Sequence, residues 1–549
     1  MSPRRSILVA VVLAVAGAAR AQILPPPPQP AGNPSTPAKE LLGKALYWDE
    51  QLSSTRTVAC GTCHVFTSGG SDPRSASAVH PGPDGLYGTV DDVHGSFGVA
   101  RQDPSAHLAA DPVFGVQVQV TGRKAPSPIN AAYVADLFWD GRASTTFVDP
   151  VTNQVLLASG GALESQAAGP PVNAAEMSHV GRSWTDIQND LPALTPLALA
   201  TNVPAPLAAF VAGQTYAQLF QQVYGTPGVT PERILFAIGA YERTLVSDQS
   251  PFDRWLVGQY VPTPAESLGR TTFQALCVAC HTDLDVGVLA TGPVLGTYRN
   301  VGVRPNSEDA GRFTVTQNPA DMGRFKVPGL RNVALRAPYF HNGSKATLLD
   351  VVNFYGRGGD FHQNQDPLIF SIIGAVSGNT PANLVAFLNT LTDPRVAQGL
   401  PPFDRPTLWS ERQAQVPTTF GNGTAGSGGA VPRAIALSPG FLGNAQCQLG
   451  VDRAAPSAFA LVAWDLFANQ TPTVVLGHNV YLAQSPALVT AGIGFTQGSG
   501  AGGGYTSFTI ALPANPSFAG ISLFGQWLIA DAAGPVGFAS SDAFALPLW

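Results

Sequence analysis

The sequence predicts a mainly α body followed by an all-β, sandwich-like domain. Three observations carry that reading. Before Pro406 apolar residues recur at helical spacing, these stretches are separated by long Gly/Pro/Asp-rich loops, and after Pro406 short apolar runs alternate with Gly, Pro and Asn turns. With 549 residues, 45% of them hydrophobic and 12% charged, the chain can bury several cores and is too apolar for disorder. Its net charge of -6, without any Lys/Arg-rich block, argues against a nucleic-acid partner.

In chain order, Arg4 and Arg5 precede an apolar run over 7–19, and Ala19-Arg20-Ala21 offers a small-x-small cleavage site. Residues 1–21 therefore read as a signal peptide cleaved near Ala21, which places the protein in the periplasm or outside the cell. The run is too short to span a bilayer, and no later stretch supplies a transmembrane segment. Loss of Arg4, Arg5 and Arg20 leaves a more acidic chain, suited to a basic soluble partner. Residues 22–37 form a Pro-rich linker of polyproline character. Over 39–49, Leu41, Leu42, Ala45 and Leu46 fall at helical spacing; Thr230 and Pro231 read as the cap and first turn of a helix carrying Ile234, Ile238, Tyr241 and Leu245 on one face. The loops at 68–98 and 291–311 are longer than a compact fold tolerates without a function such as wrapping a cofactor.

Residues 406–432, with GNGTAGSGG at 421–429, read as a linker. From 433 to 549 the charged residues are Arg433, Asp452, Arg453, Asp465, Asp531 and Asp542, and the runs at 458–463, 473–476, 505–512 and 520–529 suggest an antiparallel sandwich. Cys447 stands alone there and reads as a buried, unpaired thiol.

The other four cysteines fall into two five-residue patterns, Cys60-Gly-Thr-Cys63-His64 and Cys277-Val-Ala-Cys280-His281. This spacing lets two thiols form thioethers to the vinyl groups of a haem while the following His turns under the iron as axial ligand. A disulfide in each pair, or one zinc site built from both, are the alternatives; zinc requires the distant pairs to converge and leaves the trailing His unexplained. Once Met1 leaves, only Met177 and Met322 remain, so two His/Met-ligated haems would need both.

The segments LGKALYWDEQLS, APSPINAAY, LFWDGRA, QAAGPPVNAAE, AYERTLVSDQSPFDRW, GRFKVPGLRNVALRAPYFHNGS and VVNFYGRGG, spread over 37–395, resemble the bacterial di-haem cytochrome c peroxidases and their MauG-type relatives. The resemblance implies two cytochrome c-like haem domains, a peroxidatic one at 38–255 and an electron-accepting one at 256–405. His64 would be the proximal ligand of the peroxide-binding haem and His281 that of the electron-accepting haem. Gln166, Pro170 and Glu176 would lie over the distal face: Glu176 as general acid/base, Gln166 as a hydrogen-bonding group, Pro170 restricting the face to small ligands. Trp139 matches a tryptophan between the haems. Tyr355 falls at the distal-ligand position of the second haem, as in MauG-type proteins, with Met322 competing. A solvated carboxylate, a core tryptophan and a helix-packed tyrosine are the ordinary alternatives for Glu176, Trp139 and Tyr355. The positions that hold calcium in the family are Lys124, Arg336 and Pro338 here, and an ammonium is not a calcium ligand. His80 matches a histidine that caps the peroxidatic iron in some resting members. The implied function is reduction of hydrogen peroxide to water with electrons from a small cytochrome c or cupredoxin. The alternatives are a MauG-like oxidase acting on a protein or organic substrate, and a non-catalytic electron-transfer protein.

Overall fold

The computed structural model describes residues 24–281 and 297–549. The signal-peptide reading and part of the loop at 291–311 lie outside them. Helix accounts for 28% and strand for 21%, so the mainly α expectation is corrected: the body is helices embedded in long irregular segments, followed by a β-rich C-terminal region. With 58 Gly and 48 Pro in the chain, helices are interrupted early.

The helix Pro37–Tyr47 starts at Thr36, whose side chain accepts from the Lys39 N–H, with Pro37 in the first turn. The helix Pro231–Glu242 starts the same way at Thr230, and Ile234, Ile238, Tyr241 and Leu245 are buried as the periodicity predicts. The two helices meet at Gly43, where an added Cβ would lie 1.9 Å from the Ala237 carbonyl oxygen. Around them Leu42, Leu46, Trp48, Phe66 and Phe403 complete one core.

A second pair repeats the device. The helix Pro264–Leu276, capped by Thr263, meets Thr380–Asn389 at Gly269, whose added Cβ would lie 1.9 Å from the Asn383 carbonyl oxygen. Phe252, Phe273, Leu348, Val352 and Phe387 form its core. The loops at 130–143 and 332–345 are also one structure built twice. Asn130 and Asn332 (φ 62° and 61°), Phe138 and Phe340 (64° and 69°), and Gly141 and Gly343 (73° and 69°) share left-handed conformations, and the bridge Leu137–Ala143 recurs as Tyr339–Lys345. The two asparagines meet at Ser247: Asn130 Nδ2 donates to its carbonyl at 3.1 Å and Asn332 Nδ2 to its hydroxyl at 2.9 Å.

The chain crosses between the cores at other places than the sequence suggested. Phe252 packs in the second core, while Val396, Phe403 and Leu408 return to the first. In the C-terminal region a five-stranded antiparallel sheet runs in the order Val489–Phe495, Phe459–Asp465, Ser522–Ala530, Phe538–Pro547 and Thr418–Phe420; a three-stranded one runs Arg433–Ala436, Cys447–Ala454 and Gly504–Ile510. Alternate residues Cys447, Leu449 and Val451 from one sheet share a core with Val462, Trp527 and Phe544 from the other. The strand Thr418–Phe420 lies inside the expected linker 406–432, because its partner is Phe538–Pro547, over a hundred residues on. No helix among the described residues is long and apolar enough to cross a membrane.

Candidate active site

The first CxxCH motif forms the short helix Cys60–Cys63, whose Thr62 hydroxyl accepts from the Ala59 N–H at 2.9 Å. His64 caps it and packs its Nδ1 3.3 Å from the Gly70 carbonyl. With Nδ1 protonated, that bond fixes the ring and leaves the Nε2 lone pair as the ligand atom. Cys60, Cys63 and His64 line a cavity of ≈ 420 Å³ together with Gln166, Pro170, Glu176 and Trp139, so three separate segments converge on one space.

Gln166 is carried by the helix Ala162–Ala167, whose Glu164 makes a fully buried ion pair with Arg243 at 2.8 Å and accepts from Asn33 at 2.7 Å. Pro170 opens the turn Pro170–Val172. Glu176 follows on a loop held against the strand Phe97–Ala100 by Val99 N–H donating to the Ala175 carbonyl at 3.2 Å. Burial raises the Glu176 carboxyl above the ordinary glutamate pKa, and the Arg142 guanidinium pulls it partly back. Arg142 lines the same cavity, paired with Asp140 at 3.0 Å and lying 3.6 Å over the Phe138 ring.

The second motif lines another cavity, of ≈ 190 Å³, with Cys277, Cys280, His281 and Tyr355 on its wall. Burial takes His281 down to about 4, so the imidazole is neutral, as a ligand must be. Burial and the neighbouring Cys277 and Cys280 raise the Tyr355 phenol. Met322 is not on this wall, and its carbonyl accepts from Asn364 at 2.7 Å. Met177 is buried and borders the first cavity.

The four cysteines are free of disulfides, and each pair lines its own cavity. Among the described residues no cluster of three or more His, Cys, Asp or Glu could hold a metal. Burial pushes Cys63 and Cys277 up to about 12, so both stand as neutral thiols. Neutral sulfurs beside a neutral imidazole suit thioether attachment of a haem, and both walls fit one.

Trp139 borders both cavities. Its indole N–H donates to the Lys124 carbonyl at 2.8 Å and its ring lies edge-on to His341 at 6.3 Å. His341 is the counterpart of Trp139 in the repeated loop, and it stacks on Phe325 at 3.6 Å. Lys124 is buried, its ammonium against the Ser71 hydroxyl; burial and Arg336 take its pKa down to about 7. Arg336 and Pro338 line the same cleft as Lys124. Arg123 ties the two cavities by bonds of 2.7 Å to both Asp140 and Asp309. His80 stands outside the first cavity's wall: its Nδ1 accepts from the Gly82 N–H at 3.2 Å and its ring packs on Phe114. The sequence reading missed Arg142, His341 and Arg123; the first two stand inside WDGRA and APYFHNGS, the third next to Lys124.

Residues 37–261 match the family described as di-haem cytochrome c peroxidase. The chain is 30% identical over 360 residues to the cytochrome c peroxidase Ccp of Escherichia coli, covering 64% of this chain and 61% of that protein. It is 29% identical over 351 residues to the cytochrome c551 peroxidase of Nitrosomonas europaea, covering 62% and 80%. It is 27% identical over 366 residues to the methylamine utilization protein MauG of Methylophilus methylotrophus, covering 64% and 85%.

Proposed function

We propose that the chain, which matches the di-haem cytochrome c peroxidase family over residues 37–261 and is 30% identical to a cytochrome c peroxidase, is an exported peroxidase that reduces hydrogen peroxide to water with electrons from a small cytochrome c or cupredoxin. The observation that carries this reading is the convergence of Gln166, Pro170 and Glu176 on the cavity that also holds Cys60, Cys63 and His64. An electron carrier has no use for an acid/base group there. Two c-type haems, attached through Cys60 and Cys63 and through Cys277 and Cys280, would supply iron for peroxide reduction and for electron entry.

The remaining steps belong to the protein. Glu176 takes the proton from the near oxygen of peroxide and returns it to the far one, so that the far oxygen leaves as water. Gln166 holds the peroxide by a hydrogen bond, and Pro170 narrows access to it. Arg142 offsets part of the rise that burial causes in the Glu176 carboxyl. His64 and His281 would each hold a haem iron, and Tyr355 would be a further ligand to the second haem. Trp139, bordering both cavities, is the bridge for electrons between them. Calcium forms no part of the proposal, because Lys124 lines one cleft with Arg336 and Pro338 and a lysine side chain is not a calcium ligand.

The test mixes holoprotein with peroxide and pre-reduced cytochrome c, beside Glu176→Gln. The wild type is expected to oxidise the cytochrome and the variant to lose roughly 10²–10⁴-fold in kcat/KM for peroxide. A wild type without peroxide-dependent oxidation overturns the peroxidase reading, and equal rates overturn the role of Glu176. A second reading, MauG-like oxidation of a protein or organic substrate, draws support from Tyr355 on the second cavity wall; peroxide consumption with an organic donor but not with reduced cytochrome c would favour it.

A further inference from the structure

We propose that the C-terminal β region is a clamp on the loop that carries Glu176, with Gln448 as its positioning residue. This rests on the peroxidase reading of that loop. The β region touches the haem-binding body on the hairpin between the strands Phe97–Ala100 and Val118–Val120, and the contact has a core of its own. Ala100, Leu108 and Val116 from the hairpin are buried against Ile435, with Tyr505 packed alongside. Gly450 makes the approach close, since an added Cβ there would lie 2.4 Å from Leu108 Cδ1.

Polar bonds fix the register of this contact. On the strand Cys447–Ala454, Gln448 Nε2 donates to the Ala106 carbonyl at 2.5 Å, and its Oε1 accepts from Gln102 Nε2 at 2.9 Å. Leu108 N–H donates to the Ser507 hydroxyl at 2.9 Å, and Gln117 Nε2 to Asp452 at 3.0 Å.

The opposite side of the hairpin holds the catalytic loop on both flanks of Glu176. The Gln102 carbonyl accepts from Val180 N–H at 3.0 Å, and Val99 N–H donates to the Ala175 carbonyl at 3.2 Å. Gln119 Nε2 adds a bond to the Ala174 carbonyl at 2.8 Å. Gln102 is buried and is bonded by its side chain to Gln448 and by its backbone to the loop, so the β region sits one residue away from the segment that places the acid/base group. A tethered appendage would need none of these bonds.

The experiment uses full-length holoprotein and three variants: Gln448→Ala and Leu108→Ala at the contact, and Phe495→Ser on the exposed edge strand of the same region as control. Amide exchange is followed across residues 97–102 and 173–182, and kcat/KM for peroxide as a function of pH. Both contact variants are expected to exchange roughly tenfold faster in those segments, to lose about fivefold in kcat/KM and to show a displaced acid limb. Phe495→Ser is expected to match the wild type in both. Unchanged exchange at 173–182 in whichever contact variant folds overturns the clamp, and so does faster exchange with an unaltered pH profile. Exchange is read without turnover, so it decides on the clamp even if peroxide proves not to be the substrate.

Discussion

Glu176 and Tyr355 show how one physical effect acts on two acids for which different roles are proposed. Desolvation disfavours charge on both, raising the carboxyl and the phenol alike. A raised Glu176 stays protonated to higher pH, while taking a proton from peroxide requires the ionised form. The acid limb of kcat/KM is therefore expected above the ordinary glutamate range, activity falling as pH drops through it, and Arg142→Leu is expected to move the limb further up by removing the cation that opposes burial. A pH–rate profile measures both. Among the described residues, burial and the neighbouring Cys277 and Cys280 raise the Tyr355 phenol. Tyr355→Phe is expected to alter the absorption spectrum of the second haem, and an unchanged spectrum would exclude the tyrosine as its ligand.

At the scale of elements, the two helix crossings depend on glycine for approach and not for backbone conformation. A methyl group at Gly43 or Gly269 would meet a backbone carbonyl of the facing helix, which cannot move without separating the pair. Gly43→Ala and Gly269→Ala are each expected to destabilise by about 1–3 kcal/mol, as overpacked cores do, measured by denaturant unfolding of the holoprotein. Element starts marked by local chemistry, such as Thr230 before Pro231, were legible in the sequence because cap and first turn lie within a few residues. The strand Thr418–Phe420 was not legible, since three residues in a Gly-rich stretch become a strand only through pairing with Phe538–Pro547. The helical texture of the body was overestimated for a related reason: short periodic runs were visible, whereas the length of the irregular segments between them follows from what they pack around.

Across the whole molecule, two similar halves face each other through Trp139 and its counterpart His341, with Arg123 bonded to an aspartate on each cavity wall. The indole borders both cavities. Trp139→Phe is expected to lower kcat with reduced cytochrome c more than it changes KM for peroxide, because it removes a route for electrons while Glu176 and Gln166 stay in place. The β region packs on the hairpin that holds the Glu176 loop, which is the contact the proposed clamp uses.

The sequence by itself determined the two CxxCH motifs, the helix caps and the β texture of the C-terminal region, because each is a property of residues within a few positions of one another. Through the family resemblance it also pointed to Glu176, Gln166, Pro170, Trp139 and Tyr355. Only the tertiary structure brought those residues onto two cavity walls, left His80 outside, joined the cavities through Arg123 and set Gln448 behind the catalytic loop. Those arrangements join segments up to 346 residues apart, and such distances are closed by packing of cores and pairing of strands, which no local pattern records.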